Sequence, residues 1–336
     1  MTHMEFFRAL KQGQYAALYL FEGEEEYVKE QALAQLRAAL LPEGLEQLNE
    51  TLLDNPGADD VVAAAETLPM MADRRLVLVR ECALLGNGRA KDEAAQSEAL
   101  AGYLPKVPES CCLVFYCRGL ADGRKKLTTA LRKAATVVRF DPLEDAALST
   151  WMRSRLKPLG KTISPQNAAL LAFTSGRDLL TLSLELEKLA AYRAESAEIE
   201  AEDIRTLATR TLECTIFQWV DAILAGNEKE AFVLLGAMRG QGESSVGVLA
   251  MLIRQFRILL HLRLMKAEGR PSGEVQQLLG IPAFALRRAE GQAAAFDLDG
   301  LHVALNLLLD TDDAIKSGRI REDAALERAL LMLRRA

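Results

Sequence analysis

Short apolar runs alternate with longer helix-like stretches through the first 140 residues of the chain. Ala16–Phe21 is an apolar run closed by Gly23, and a helical stretch from Glu25 to Leu40 follows. Leu48 to Leu53 reads as a second strand and Asp59 to Leu68 as a helix. Leu76-Val77-Leu78-Val79, bounded by Arg75 and Arg80, is the third apolar run. A helix from about Ala90 to Leu104 leads to the run Cys111–Cys117, and a basic helix from Arg124 to Lys133 precedes Thr136–Phe140. Strands this short and this continuously apolar are buried on both faces, so the pattern predicts a parallel sheet with helices on either side. Residues 1–140 are therefore expected to form a Rossmann-like α/β domain.

After Asp141-Pro142 the strand pattern stops. Leu143–Leu156, Ser164–Phe173, Asp178–Arg193 and Ala201–Ala208 carry helical periodicity, broken at Pro158, Gly160, Pro165 and Gly176. Ser164-Pro165 is a helix start, a hydroxyl cap followed by proline at the first helical position. These residues, 141–210, predict a small all-helical domain. From Leu212 onward further helices are separated by Gly226-Asn227, Gly240-Gln241-Gly242, Gly269-Arg270-Pro271 and Gly280-Ile281-Pro282. That pattern predicts a third, all-α domain over 211–336. The expected fold class is α/β plus all-α.

Composition narrows the possibilities further. At 336 residues the chain exceeds one ordinary core. No uninterrupted apolar run reaches the length of a membrane span, and the N-terminal MTHMEFFRALKQG lacks a leader's apolar segment, so a cytoplasmic protein without membrane contact is expected. Three of the five cysteines share one apolar run, and the three histidines are scattered. Such spacing predicts buried thiols rather than a disulfide framework or a zinc site. The net charge of −6 means that any grip on DNA depends largely on partner chains.

The loop after the first strand is where an α/β domain would cradle phosphate. Here it reads Gly23-Glu24-Glu25-Glu26-Tyr27-Val28-Lys29-Glu30. The second glycine and the hydroxyl after lysine that a phosphate loop needs are missing, and three carboxylates stand where phosphate would lie. Those glutamates suit the first turn of a helix instead. The chain carries no G-x-S-x-G or H-E-x-x-H pattern, and no cysteine has a histidine partner in its sequence context. Gly240-Gln241-Gly242 follows helical sequence, so it reads as a turn with Ser244 or Ser245 as the next cap. Asp310, Asp312 and Asp313 read as a solvated helix face, and His261 as a helical histidine. Arg254, Arg257, Arg263 and Lys266, with Lys316, Arg319 and Arg321, are read first as solvated, ion-paired faces and second as phosphate contacts within an assembly. Leu68-Pro69-Met70-Met71 is the unusual segment. Two adjacent methionines in a short loop cannot both enter one core, and a flexible, polarizable pair suits a partner's apolar pocket.

In order along the chain come Tyr19-Leu20-Phe21-Glu22-Gly23-Glu24-Glu25, Leu68-Pro69-Met70-Met71-Ala72-Asp73-Arg74-Arg75-Leu76, and Gly176-Arg177-Asp178-Leu179 leading to Leu184-Glu185-Leu186-Glu187-Lys188-Leu189. Arg254-Gln255-Phe256-Arg257 and Asp313-Ala314-Ile315-Lys316-Ser317-Gly318 follow. Together these phrases resemble the delta subunit family of bacterial DNA polymerase III, a part of the clamp loader. The resemblance implies an AAA+-like first domain with a degenerate phosphate loop, a helical lid, and a helical collar that joins a five-subunit ring. It implies a non-catalytic subunit of the DNA-directed DNA polymerase holoenzyme, which binds and opens the beta sliding clamp for loading onto primed DNA without hydrolysing ATP. The implied partners are the clamp, the delta-prime and tau/gamma subunits, and primer-template DNA within the complex. By position the clamp-binding residues are Leu68, Pro69, Met70 and Met71; no catalytic residue, cofactor site or metal ligand is implied. The alternatives are a delta-prime-like or helicase-loading adaptor and an active P-loop ATPase. The first lacks support because delta-prime relatives carry zinc-type cysteine spacing that is missing here.

Overall fold

In the computed structural model, which describes residues 1–86, 92–193, 195–281 and 283–333, the apolar runs of the N-terminal part are the strands of one sheet. The chain forms two compact units, 1–144 and 145–336. In the first, β1 (Leu18–Glu22), β2 (Glu50–Asp54), β3 (Arg75–Arg80), β4 (Cys111–Tyr116) and β5 (Thr136–Arg139) lie in the order β2-β3-β4-β1-β5, every pair parallel. The connecting helices are α1 (His3–Lys11), α2 (Glu26–Leu40), α3 (Glu46–Asn49), α4 (Ala58–Glu66), α5 (Glu93–Tyr103) and α6 (Lys126–Ala134). Alternation along β1 sends Leu18 and Leu20 into a core with α4, α5 and α6. Tyr19 and Phe21 turn the other way and meet Phe6 of α1 edge to face at 5.5 and 5.2 Å. Both faces of the sheet are thus covered, as the continuous apolar strands require.

Two local features differ from the sequence reading, and a third cannot be compared. Strand β2 starts at Glu50, because Leu45–Asn49 turns into the short helix α3 and Glu50 is held by Arg37 of α2 at 2.5–2.9 Å. Helix α1 was not expected; Thr2 and Glu5 close it with a reciprocal capping box. The start of the helix read from Ala90 lies outside the described residues, and the helix is seen from Glu93.

The second unit holds α7 (Asp145–Leu156), β6 (Thr162–Ile163), α8 (Pro165–Ser175), α9 (Leu179–Tyr192), β7 (Glu198–Ile199) and α10 (Ala201–Leu207). It continues with α11 (Leu212–Leu224), α12 (Glu228–Gly240), α13 (Ser245–Ala267), α14 (Ser272–Leu279), α15 (Ala283–Ala294), α16 (Leu298–Lys316) and α17 (Glu322–Leu333). Ser164 caps α8 by accepting from the Asn167 N–H at 3.2 Å, with Pro165 first in the helix. Ser244 caps α13, so the turn reading of Gly240–Gly242 holds. The paired two-residue strands β6 and β7 are an addition to the expected all-helical pattern. Helix α13 is, by length and composition, long and apolar enough to cross a bilayer, unlike the strand-sized runs read from the sequence. Its Leu249, Leu252, Phe256 and Leu259 are buried in the unit's core, while Arg254, Arg257 and His261 share its exposed side.

Candidate functional site

The four residues Leu68–Met71 form the loop between α4 and β3, at the N-terminal ends of the strands. Pro69 keeps the chain from continuing α4, since the residue before proline is driven out of helical conformation. Leu68, Met70 and Met71 are 75%, 57% and 85% exposed, so neither methionine packs inward. Leu48 of α3 and Leu52 of the edge strand β2 are also exposed.

The loop's backbone is nevertheless fastened. Asn49 is fully buried at the end of α3. Its Oδ1 accepts from the Met70 N–H at 2.7 Å, and its Nδ2 donates to the Met70 carbonyl at 2.9 Å and the Leu45 carbonyl at 3.1 Å. Arg75, the first residue of β3, is buried as well. Its Nη2 donates to Thr51 Oγ1 at 2.6 Å, and its Nη1 faces the carbonyls of Thr67 at 3.3 Å and Leu68 at 3.5 Å. Met71 takes a left-handed conformation, φ +54°, which costs a non-glycine residue roughly 1–2 kcal/mol. Sequence reasoning found the methionines but missed Asn49 and Arg75, which stand among other polar residues and carried no distinguishing signal.

At the opposite, C-terminal ends of the strands lies the Gly23 loop. Two of its backbone donors are taken by neighbouring segments: the Gly23 N–H reaches the Gly119 carbonyl at 2.7 Å and the Glu25 N–H the Phe140 carbonyl at 2.9 Å. Gly23 has φ +131°, and a Cβ there would stand 2.2 Å from the Phe140 carbonyl oxygen. Lys29 falls on the buried stripe of α2 with Val28, Ala32, Leu33 and Leu36. Its ammonium, wholly inside, donates to the carbonyls of Gly23 at 2.8 Å and Cys117 at 2.7 Å and to Glu26 at 2.6 Å. It also lies 4.9 Å from the centre of the Tyr116 ring. Burial, then hydrogen bonds to Glu26 and Glu30, push the Tyr116 phenol up, so it stays a donor, reaching Glu26 at 2.8 Å. Beside the loop the buried Glu22 carboxylate takes Arg132 at 3.0 Å, Arg139 at 3.5 Å and the Ala121 N–H at 3.3 Å. Glu26 stands in the first turn of α2, as expected for that helix start.

Three of the remaining basic candidates are paired locally. Arg254 pairs with Glu213 at 3.1 Å, Lys316 with Asp312 at 2.6 Å, and Arg319 with Asp313. Asp312 and Asp313 are thus engaged in ion pairs. Among the described residues, no group of three His, Cys, Asp or Glu is placed to hold a metal ion. All five cysteines are free; burial pushes the thiols of Cys111 and Cys117 up to about 12.

Comparison with known proteins bears on both units. The model of the DNA polymerase III delta subunit family matches residues 19–141, and that of the C-terminal domain of the same family matches 213–333. The DNA polymerase III subunit delta of Bacillus subtilis (strain 168) is 25% identical over 333 residues, 98% of this chain and 96% of that protein. Its counterpart from Escherichia coli (strain K12) is 24% identical over 254 residues, 75% of this chain and 72% of that protein. The solved structure of the Bacillus subtilis DNA clamp loader delta protein (YqeN) superposes with a TM-score of 0.62 at 25% identity, covering 99% of this chain and all of that one. The expected α/β sheet domain followed by helices is the fold of that protein, and the chain belongs to the DNA polymerase III delta subunit family.

Proposed function

We propose that the chain is the clamp-loader subunit that binds and opens the beta sliding clamp for loading onto primed DNA, and that it hydrolyses no ATP itself. The observation that carries the reading is the adjacent pair Met70 and Met71, both exposed on a loop whose backbone is fastened by the buried Asn49. Burying two such side chains in a partner's pocket contributes roughly 3–6 kcal/mol before association costs. A subunit that binds the open clamp better than the closed one shifts the ring towards opening by that difference in affinity. Leu68 and Pro69 complete the contact segment.

The absence of hydrolysis is argued from the Gly23 loop, where Lys29 faces carbonyls and the Gly23 and Glu25 amides are already bonded. Within the assembly, residues 1–140 act as the AAA+-like domain, 141–210 as the lid and 211–336 as the collar. The ring partners are delta-prime and tau/gamma subunits, with primer-template DNA held by the complex in the cytoplasm. The chain then serves the polymerase holoenzyme as a non-catalytic subunit.

The test is binding of the purified chain to its cognate clamp, compared with the Met70→Ala/Met71→Ala double variant. Binding lost in a folded double variant is the expected result. Equal binding by both forms moves the contact surface elsewhere, and no binding by the wild-type chain to an intact clamp overturns the reading.

A further inference from the structure

We propose that Asn49 and Arg75 are positioning residues, two buried polar side chains that hold the tip in its binding geometry before a partner arrives; this rests on reading the tip as the clamp-contacting loop. Asn49 meets both the N–H and the carbonyl of Met70, the pairing a neighbouring strand would make, and its second Nδ2 contact on Leu45 fixes the amide's orientation. An amide with no exposure and its groups engaged cannot turn away without leaving polar atoms unpaired. Arg75 secures the incoming limb of the same loop. It is 6% exposed, pairs with no carboxylate among the described residues, and turns its guanidinium to the carbonyls of Thr67 and Leu68. A buried cation is costly without partners, so these carbonyls and Thr51 Oγ1 are its compensation.

Both clasps touch backbone or the Thr51 hydroxyl and leave the side chains of Leu68, Met70 and Met71 exposed. The left-handed Met71 lies immediately beyond the Asn49 contact, where a restrained neighbour keeps an unfavourable conformation in place. A loop ordered in advance loses less freedom on binding, which raises affinity without any new contact.

The experiment measures clamp affinity of the full chain by a surface-binding assay for wild type, Asn49→Ala, Asn49→Asp and Met70→Ala/Met71→Ala. Thermal midpoints and hydrogen exchange of the Met70 amide are followed in parallel. Asn49→Asp keeps the volume and the acceptor for Met70 N–H but turns a carboxylate oxygen to the carbonyls of Met70 and Leu45. Each Asn49 variant is expected to weaken clamp binding about tenfold, equivalent to about 1.4 kcal/mol, and to speed exchange at Met70. A merely structural Asn49 would lower the midpoint and leave clamp affinity unchanged, which overturns the proposal. In the wild-type chain the Met70 amide must exchange far more slowly than an open loop; free exchange there overturns it with no variant needed. If the methionine double variant binds as wild type, the tip reading fails and this inference with it. If only that variant loses binding, the tip reading stands and the positioning role falls.

Discussion

Replacing Lys29 by methionine isolates what a buried ammonium does in the closed loop. Methionine keeps most of the apolar stem of this buried side chain, so the change removes chiefly the charged donor. Two opposing effects set the outcome. The wild-type chain bears the cost of taking an ammonium out of water, several kcal/mol after relaxation. Against this stand charge-assisted bonds to the Gly23 and Cys117 carbonyls at 2.8 and 2.7 Å and the face of the Tyr116 ring. In Lys29→Met the desolvation cost vanishes, but two inward carbonyls lose their donor, at roughly 1–3 kcal/mol each. Glu26, about half exposed, returns to solvent at little cost. The carbonyls decide the sign, and the expected loss is about 2–4 kcal/mol. Urea denaturation of the full chain, followed by circular dichroism, reads it as a lower midpoint of the transition that includes the sheet. A variant as stable as wild type, or more stable, would refute the reasoning and show that the lysine is a net cost to folding.

Gly23→Ala should cost about 3–5 kcal/mol, because strain at φ +131° adds to a backbone clash at 2.2 Å; a wild-type urea midpoint would contradict it. In the second unit, Gln292 donates to the Phe217 carbonyl at 2.8 Å and accepts from Gln255 at 2.8 Å. Gln292→Leu leaves the buried Gln255 amide without its acceptor and should cost roughly 1–3 kcal/mol, read from tryptophan fluorescence during unfolding; a change under about 0.5 kcal/mol would speak against the network. Burial raises the thiols of Cys111 and Cys117 to about 12, so the folded state disfavours their ionised forms. Their contribution is complete below about pH 8.5, where the unfolded thiols are still protonated, and falls by about 1.4 kcal/mol per pH unit per thiol above it. Urea midpoints measured from pH 7 to 10 should fall more steeply for wild type than for Cys111→Ala/Cys117→Ala; parallel curves would exclude the thiols as the cause. Equilibrium dialysis with ATP should detect no binding to the isolated chain, and stoichiometric binding would reopen the ATPase alternative.

The sheet was legible because its central strands are buried on both faces. Cys111–Tyr116 reads as strand for the same reason that none of its residues reaches solvent. The edge was harder. Leu52 looks like core in the sequence but is 60% exposed, and the strand boundary is set by the Arg37–Glu50 pair and the turn at Asn49. Met70 and Met71 could be picked out because chain geometry forbids both from entering one core. Asn49 and Arg75 could not, since their roles depend on residues some twenty and seven positions away. Lys29 could have been recognised as buried from its helical spacing with Val28, Ala32, Leu33 and Leu36, but beside three glutamates it reads as one more surface charge. The apolar character of α13 was hidden by Arg254 and Arg257, which interrupt the run in sequence yet share one exposed side of the helix.

The tip and the closed loop stand at opposite ends of a parallel sheet whose longest strands, six residues, span roughly 20 Å. That separation makes the sheet a spacer: a body docked at one end leaves the other sterically clear. It also makes the sheet a poor conduit for small adjustments. Sliding a strand by one residue would turn every side chain to the wrong face, so the ladder moves as a whole or not at all. If the tip is the clamp contact proposed above, control over when it meets its partner would act by shielding or unshielding an already shaped surface, on the microsecond-to-millisecond scale of whole-domain motion.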